Sequence, residues 1–455
     1  MGVTIVRDPS RLLSTFKLAM LAVVSVDSIR NLPIAAQYGT ALITFYIIAG
    51  LAFFLPLTMT TSFLAKRHPS TGGSYIWVQS AFGPRWALIS IWLQWTYNVI
   101  WYPTIFAFIS TTLAFLINPH LEHSNIVILG LSLIFFWAIT LNSCFGVSAI
   151  SRLSNFSAIL GTLLPMTLII ALAIYWLANG HHSAVSLHAS ALIPTQGNIA
   201  NLAFFANILF GLLGIDVIAM HAGDVKCPDQ SYPRALLISG ILIFFSLMFS
   251  SLSLCVVVAP EKIGLMSGLI ETFSVFFNKY HLNWAVYFIG VAIILGGLGI
   301  ASSWISGLAR GLHVASFSFK LPKVFQKKNR QGMPQGILIL QAIIFTILTS
   351  VFLLFDNVNN SYWILSSMTA QFALLYYILL FTAAFQLMGK EKISRKYRPW
   401  LVIPVLTSLI GIMVGFLPPA NIRGFSAVLH YESIIVIGGA AFFLPLIFLF
   451  RKAKK

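Results

Sequence analysis

Apolar residues in this chain come in long blocks. A helix crossing a bilayer needs about 20 mostly apolar residues. Runs of that kind occur over 16–37, 40–64, 85–117, 125–142, 153–178, 199–222, 234–259, 282–313, 335–355, 360–388, 399–418 and 432–450. The stretch 263–278 is apolar on one helical face only and too polar to cross, so it reads as an external surface helix. The pattern predicts an all-α polytopic membrane protein with twelve transmembrane helices.

Composition sharpens that picture. Apolar residues make up 58% of the 455 and charged residues only 9%, against roughly 45–50% and about 25% in soluble domains. A soluble globule would lack the charge to cover its surface. Disorder is excluded as well, because 38 phenylalanines are incompatible with an aromatic-poor chain. Three scattered cysteines, Cys144, Cys227 and Cys255, suggest neither a disulfide framework nor a metal cluster.

The net charge of +17 is explained by its placement. With the N-terminus inside, 24 of the 28 basic residues fall on inner loops and tails; Lys262, Lys279 and Arg423 lie outside and Arg30 within a span. This is the positive-inside distribution of a multi-pass membrane protein with both termini cytoplasmic. The basic charge therefore meets membrane lipid and implies no nucleic-acid partner.

Only Asp27, Arg30 and Asp216 lie at membrane depth, in spans one and six. Each costs about 2.5–3.5 kcal/mol to insert, which marks them as functional candidates; the structural reading is an internal ion pair. The helix pattern also fails in these two spans. Span one carries Ser25, Asp27, Ser28, Arg30 and Asn31 ahead of Pro33, and span six carries Gly211 and Gly214 near its centre. Each break leaves half-helices of about 15 Å. Corresponding breaks five spans apart point to two repeats of opposite topology, with a site between discontinuous helices. The expected units are 1–178 with the first repeat, 179–388 with the second, and 389–455 with two further helices and a short basic tail. Free N–H groups at the half-helix ends suit a substrate carboxylate, although glycines in spans also serve close helix packing.

These residues resemble the amino acid–polyamine–organocation transporter superfamily. Ser25-Val26-Asp27-Ser28-Ile29 stands where that family has an unwound segment. Gly214-Ile215-Asp216, followed by Asp224-Val225-Lys226-Cys227-Pro228 and Tyr232-Pro233-Arg234-Ala235, is similar to its Gly-x-Glu and Glu-x-Lys-Asn-Pro … Pro-Arg-Ala pattern. Gly72-Gly73-Ser74-Tyr75-Ile76-Trp77 matches Gly-Gly-x-Tyr-x-Trp. Trp304, Arg310-Gly311, Leu321-Pro322 and Phe416-Leu417-Pro418-Pro419-Ala420-Asn421-Ile422 look most like the bacterial glutamate:GABA antiporter branch. The chain departs from the family at Asp27 and Arg30, which replace small or uncharged residues, and in span five, where Asn155 and Ser157 stand and no lysine occurs. The short tail after span twelve carries the expectation of no folded C-terminal plug.

The resemblance implies a secondary active amino-acid transporter, proton-coupled or exchanging, that works by alternating access. It places the substrate against Ser25, Asp27, Ser28, Gly211 and Gly214, gives Asp216 the coupling role, and makes Phe210 and Trp304 aromatic gates. Arg30 has two readings, a bidentate carboxylate ligand or the neutralising partner of Asp27 three residues away. Asn98, Ser366, Ser367 and Gln371 are further lining candidates, though polar residues in spans as often join helices. His181, His182 and His188 cluster without ligand partners and read as a solvated loop. No phosphate-binding loop or His-Glu-x-x-His motif occurs, so neither an enzyme nor a cofactor is expected. The alternatives are a non-transporting amino-acid sensor on the same fold, a polyamine or amine permease, and a membrane subunit of an energy-converting complex.

Overall fold

The computed structural model describes residues 14–26, 28–67, 73–146, 157, 159–195, 202–217, 228–318, 321–353, 358–390, 399–418 and 424–452. Its helices are α1 (Thr15–Val26), α2 (Leu32–Ala36), α3 (Gly39–Arg67), α4 (Ser74–Phe82), α5 (Pro84–Ile117), α6 (Asn125–Cys144), α7 (Leu160–Ala178) and α8 (Ala203–Gly211). They continue with α9 (Pro228–Val257), α10 (Gly268–Lys279), α11 (Trp284–Ser318), α12 (Lys323–Gln326), α13 (Gln335–Thr349), α14 (Val358–Lys390), α15 (Val402–Val414) and α16 (Phe425–Lys452).

Among the described residues, eight helices are long and apolar enough to cross a membrane. The other four expected spans are interrupted or shorter. Span one is split into α1 and α2, span six stops at Gly211, and α13 and α15 have 15 and 13 residues. Helices are what such sequences must form, because lipid offers the backbone no hydrogen-bond partner.

The bundle is built around α5, whose Trp95, Tyr102 and Phe106 are fully buried and which packs against α11 and α14. A second close contact joins α7 to α11. A Cβ placed on Gly161 would lie 2.1 Å from the Gly296 Cα, so the two backbones touch with no side chain between them.

The amphipathic stretch forms α10, which buries Leu269, Ile270, Phe273, Phe276 and Phe277. It lies over α2, and the Gln37 amide Nε2 donates to the Ile263 carbonyl just ahead of it at 2.8 Å. Here the loop between α5 and α6 contributes Glu122, only 7% exposed and facing Glu271 on α10. The Ser267 hydroxyl donates to Glu271 Oε1 at 2.5 Å, and the exposed His123 ring lies 3.5 Å from Glu122 Oε1.

Lost hydration, and then the facing Glu271 carboxyl, push the Glu122 carboxyl from 4.5 up to about 8, against an opposing Ser267 hydrogen bond. The folded protein thus keeps a proton that the unfolded chain releases. The stabilisation is complete below about pH 4.5 and is lost as pH rises through 8. Thermal unfolding should show a midpoint that falls from pH 5 to pH 9. Glu122→Gln should flatten that slope and raise the midpoint at pH 9; an unchanged slope would contradict the burial of this pair.

Candidate functional site

The two broken helices meet at their breaks. Helix α1 ends at Val26; Ser28 is extended, Ile29–Asn31 form a 3-10 turn, and α2 restarts with Pro33 in its first turn, where the missing N–H is not needed. Helix α8 ends at Gly211, and Gly214 adopts φ +106°, a conformation side chains resist, before a turn that presents Asp216. The breaks are in contact: a Cβ on Gly211 would lie 3.2 Å from Asn31 Nδ2.

Between them lies a cavity of about 50 Å³. It is walled by Ser28 and Asn31 from the first break, Gly214 from the second, Tyr97 and Asn98 from α5, and by Phe210 and Trp304. Ser28 Oγ and Asn31 Nδ2 are buried and find no hydrogen-bond partner among the described residues. Unsatisfied polar groups at this depth are costly and point to a polar ligand. The volume is far below the roughly 300–1,000 Å³ of most ligand sites, so this conformation leaves little room for a substrate. Trp304 also lines a second cavity of about 380 Å³, which runs past Gln94 to Arg310. Trp304 thus borders both cavities.

Arg30 is fully buried but does not line the central cavity. Its Nη1 donates to the Tyr362 hydroxyl at 3.2 Å and to Ser366 Oγ at 3.1 Å, and its Nη2 donates to Asn31 Oδ1 at 2.7 Å. The guanidinium also lies 5.7 Å from the Phe210 ring centroid and 5.5 Å from that of Tyr362. All three acceptors are neutral. By engaging Asn31 Oδ1, Arg30 leaves the Asn31 amide as a donor with no partner among the described residues.

Asp216 is 3% exposed and is held by a tyrosine pair from α14. The Tyr376 hydroxyl donates to Oδ2 at 2.9 Å and the Tyr377 hydroxyl donates to Oδ1 at 2.6 Å. The Tyr377 oxygen also accepts the Gly214 backbone N–H at 3.0 Å. One phenol therefore ties the carboxylate to the backbone of the break. Tyr97, which walls the cavity, packs against Tyr376 with centroids 5.9 Å apart. Along this line Asp216 stands two rings, Tyr97 and Tyr376, behind the cavity.

Of the residues singled out in the sequence, Ser28, Asn98, Phe210, Gly214 and Trp304 share the cavity. Gly211 contacts Asn31 beside it, and Ser366 holds Arg30. Ser367 faces elsewhere, accepting from the Tyr431 hydroxyl at 3.4 Å, and Gln371 packs on Gly415 of α15's C-terminal end. Asp27 and Asn155 lie outside the described residues, as do Asp224 to Cys227; of Ser25 only the helical backbone is described. Tyr97, Tyr376 and Tyr377 complete the site and were not singled out by sequence; Asn31 was counted among the polar residues of the first break but not as a substrate ligand.

Two interrupted helices that face each other across a small, largely apolar cavity edged by Ser28, Asn31 and Asn98, within a helical membrane bundle, define a secondary transporter. The chain belongs to the amino acid permease family, whose model matches residues 13–441. It is 42% identical over 452 residues to an uncharacterized transporter of Legionella pneumophila, covering 97% of each chain. It is 26% identical over 426 residues to a glutamate/gamma-aminobutyrate antiporter of Lactococcus lactis, covering 90% of this chain and 84% of that one. A third relative, "Probable agmatine/putrescine antiporter AguD" of Lactococcus lactis, is 27% identical over 413 residues, 86% of each.

Proposed function

We propose that this transporter exchanges amino acids or related amines across the inner membrane by alternating access, with a proton able to travel on Asp216. The observation that carries this reading is the small cavity where the two breaks meet, walled by Ser28 and Asn31, whose hydroxyl and amide have no partner among the described residues. The relatives named as antiporters of amino acids and amines support exchange over one-way uptake.

In this reading Ser28, Asn31, Asn98 and the backbone at Gly211 and Gly214 receive the substrate's charged ends, with Ser25 and Asp27 joining from span one. Arg30 supplies positive potential from behind Asn31. Phe210 and Trp304 close the cavity on its two sides. Asp216, clamped by Tyr376 and Tyr377, senses protonation and passes it to the break through Tyr377. Residues 1–178 and 179–388 are the two inverted repeats, and 389–455 is an addition to them.

Counterflow in proteoliposomes loaded with a panel of amino acids and amines tests the function. Accumulation of label against unlabelled substrate is expected for at least one of them. Saturable binding with no flux for any would make the protein a ligand sensor instead. Topology is tested separately, in a background lacking the native cysteines: Val185→Cys should label from outside and Lys327→Cys only from inside. The opposite pattern would reverse the orientation that the basic residues imply.

A further inference from the structure

A groove of about 650 Å³ lies away from the substrate cavity, where α5, α11, α13 and α16 converge. Its walls are apolar: Trp92, Leu312, Phe325, Leu340, Ile344 and Phe442 contribute most of them. It opens toward the lipid-facing side, since Leu444 at its edge is 54% exposed. A bilayer protein has no reason to leave such a space open to lipid tails and unfilled.

Two observations say what fills it. The first is an orphan donor: the indole Nε1 of Trp95, a wall residue 1% exposed, is buried and has no acceptor among the described residues. Its neighbour Trp92 donates instead to the Phe442 carbonyl at 2.8 Å. Nearby, Pro445 brings no N–H to the Ala441 carbonyl one turn below it. The groove is therefore apolar along its length with an unused polar contact in its wall. The second is charge. The linker that forms one end of the groove, through Leu321, Pro322 and Phe325, carries exposed Lys323, Lys327 and Lys328, followed by Arg330. Helix α16 runs on from Pro445 to Arg451 and Lys452 at the same end of the chain's last span.

The geometry points to a binding site for an anionic phospholipid, with an acyl chain in the groove, an ester carbonyl accepting from Trp95 Nε1, and the phosphate at the Lys323–Lys328 linker. A chain joined to an ester and a negative headgroup matches all three features at once. A zwitterionic lipid matches only the groove, and a free phosphate only the lysines. The site has a route to the transport pathway, because Trp95 is shared. Trp95 lines both the groove and the second cavity, which Trp304 also lines. A lipid seated there would buttress that wall from behind.

The test uses the purified full-length protein in detergent and measures its thermal unfolding midpoint with added phosphatidylglycerol, phosphatidylcholine or inorganic phosphate. A ligand that binds only the folded state raises the midpoint. Phosphatidylglycerol should raise it by several degrees, phosphatidylcholine by clearly less, and phosphate not at all. Lys323→Glu, an exposed substitution, should remove the preference for phosphatidylglycerol, and Leu340→Trp, which fills the groove, should remove stabilisation by either lipid. Trp95→Phe should weaken retention of phosphatidylglycerol in native mass spectrometry while leaving the lysine-dependent preference. Equal stabilisation by both lipids, a full shift with phosphate alone, or a full phosphatidylglycerol shift in both Lys323→Glu and Leu340→Trp would overturn the proposal. So would a shift that tracks dimer formation, since the groove would then seat a second copy. None of these readouts requires flux, so they stand apart from the counterflow result.

Discussion

Tyr377→Phe should slow transport more than Tyr376→Phe, and Asp216→Asn should flatten the pH dependence of transport while substrate still binds. Both tyrosines donate to Asp216, but only Tyr377 also accepts the Gly214 N–H. Losing Tyr376 removes one hydrogen bond to a charged group, about 1.5–3 kcal/mol or roughly 10–100-fold in rate if it is made in the transition between states. Losing Tyr377 removes that and leaves a buried backbone donor unpaired, about 1–3 kcal/mol more. The amide of Asp216→Asn presents one acceptor where the carboxylate presents two, so one phenol must turn round to accept. Its charge no longer changes with pH. Initial rates of counterflow from pH 5 to 8 distinguish these variants. Equal loss in the two tyrosine variants would break the link to the Gly214 backbone, and a wild-type pH profile in Asp216→Asn would make that carboxyl structural.

Arg30→Ala should be nearly as severe, and its pattern across substrates reports what the guanidinium does. Removing it strands the Asn31 Oδ1 and takes a donor from the Tyr362 hydroxyl and Ser366 Oγ, which keep their bond to each other. About 1–3 kcal/mol for each group left unsatisfied places the loss of apparent affinity at roughly tenfold or more. Lysine would rescue little, because an ammonium cannot reproduce a planar fork that spans three acceptors. If Arg30 acts through Asn31 alone, every substrate weakens alike and Asn31→Ala reproduces the effect. If its positive potential matters, acidic substrates weaken most and Asn31→Ala does not imitate it. Wild-type KM values for every substrate in Arg30→Ala would remove it from the site.

The bundle was legible in the sequence because bilayer thickness and backbone satisfaction leave little choice. Twenty apolar residues in a row become a helix, and Pro33, Gly211 and Gly214 mark where a helix must stop. Residues on the breaks were legible for the same reason, since polar groups at that depth stand out. The tyrosines were not. Tyr376 and Tyr377 sit in a helix rich in aromatics, and their identity as Asp216 ligands depends on the rotation of α14 against the turn after α8, which no local pattern encodes. Asn31 stood among the polar residues of the first break but was not read as a ligand, because Arg30 beside it is the louder signal. Only the structure shows that the arginine reaches the cavity through its neighbour.

The meeting of Gly161 and Gly296 bears on how the molecule can move. Packed helices usually slide by letting side chains at the interface change rotamer, which absorbs small displacements. Here there are no side chains to rearrange, because backbone rests directly on backbone. At this point α7 and α11 act as a bearing: they can tilt about the contact, but neither can be pushed without pushing the other. Any displacement of α11 at Gly296 would therefore reach α7 as a rotation about a fixed point.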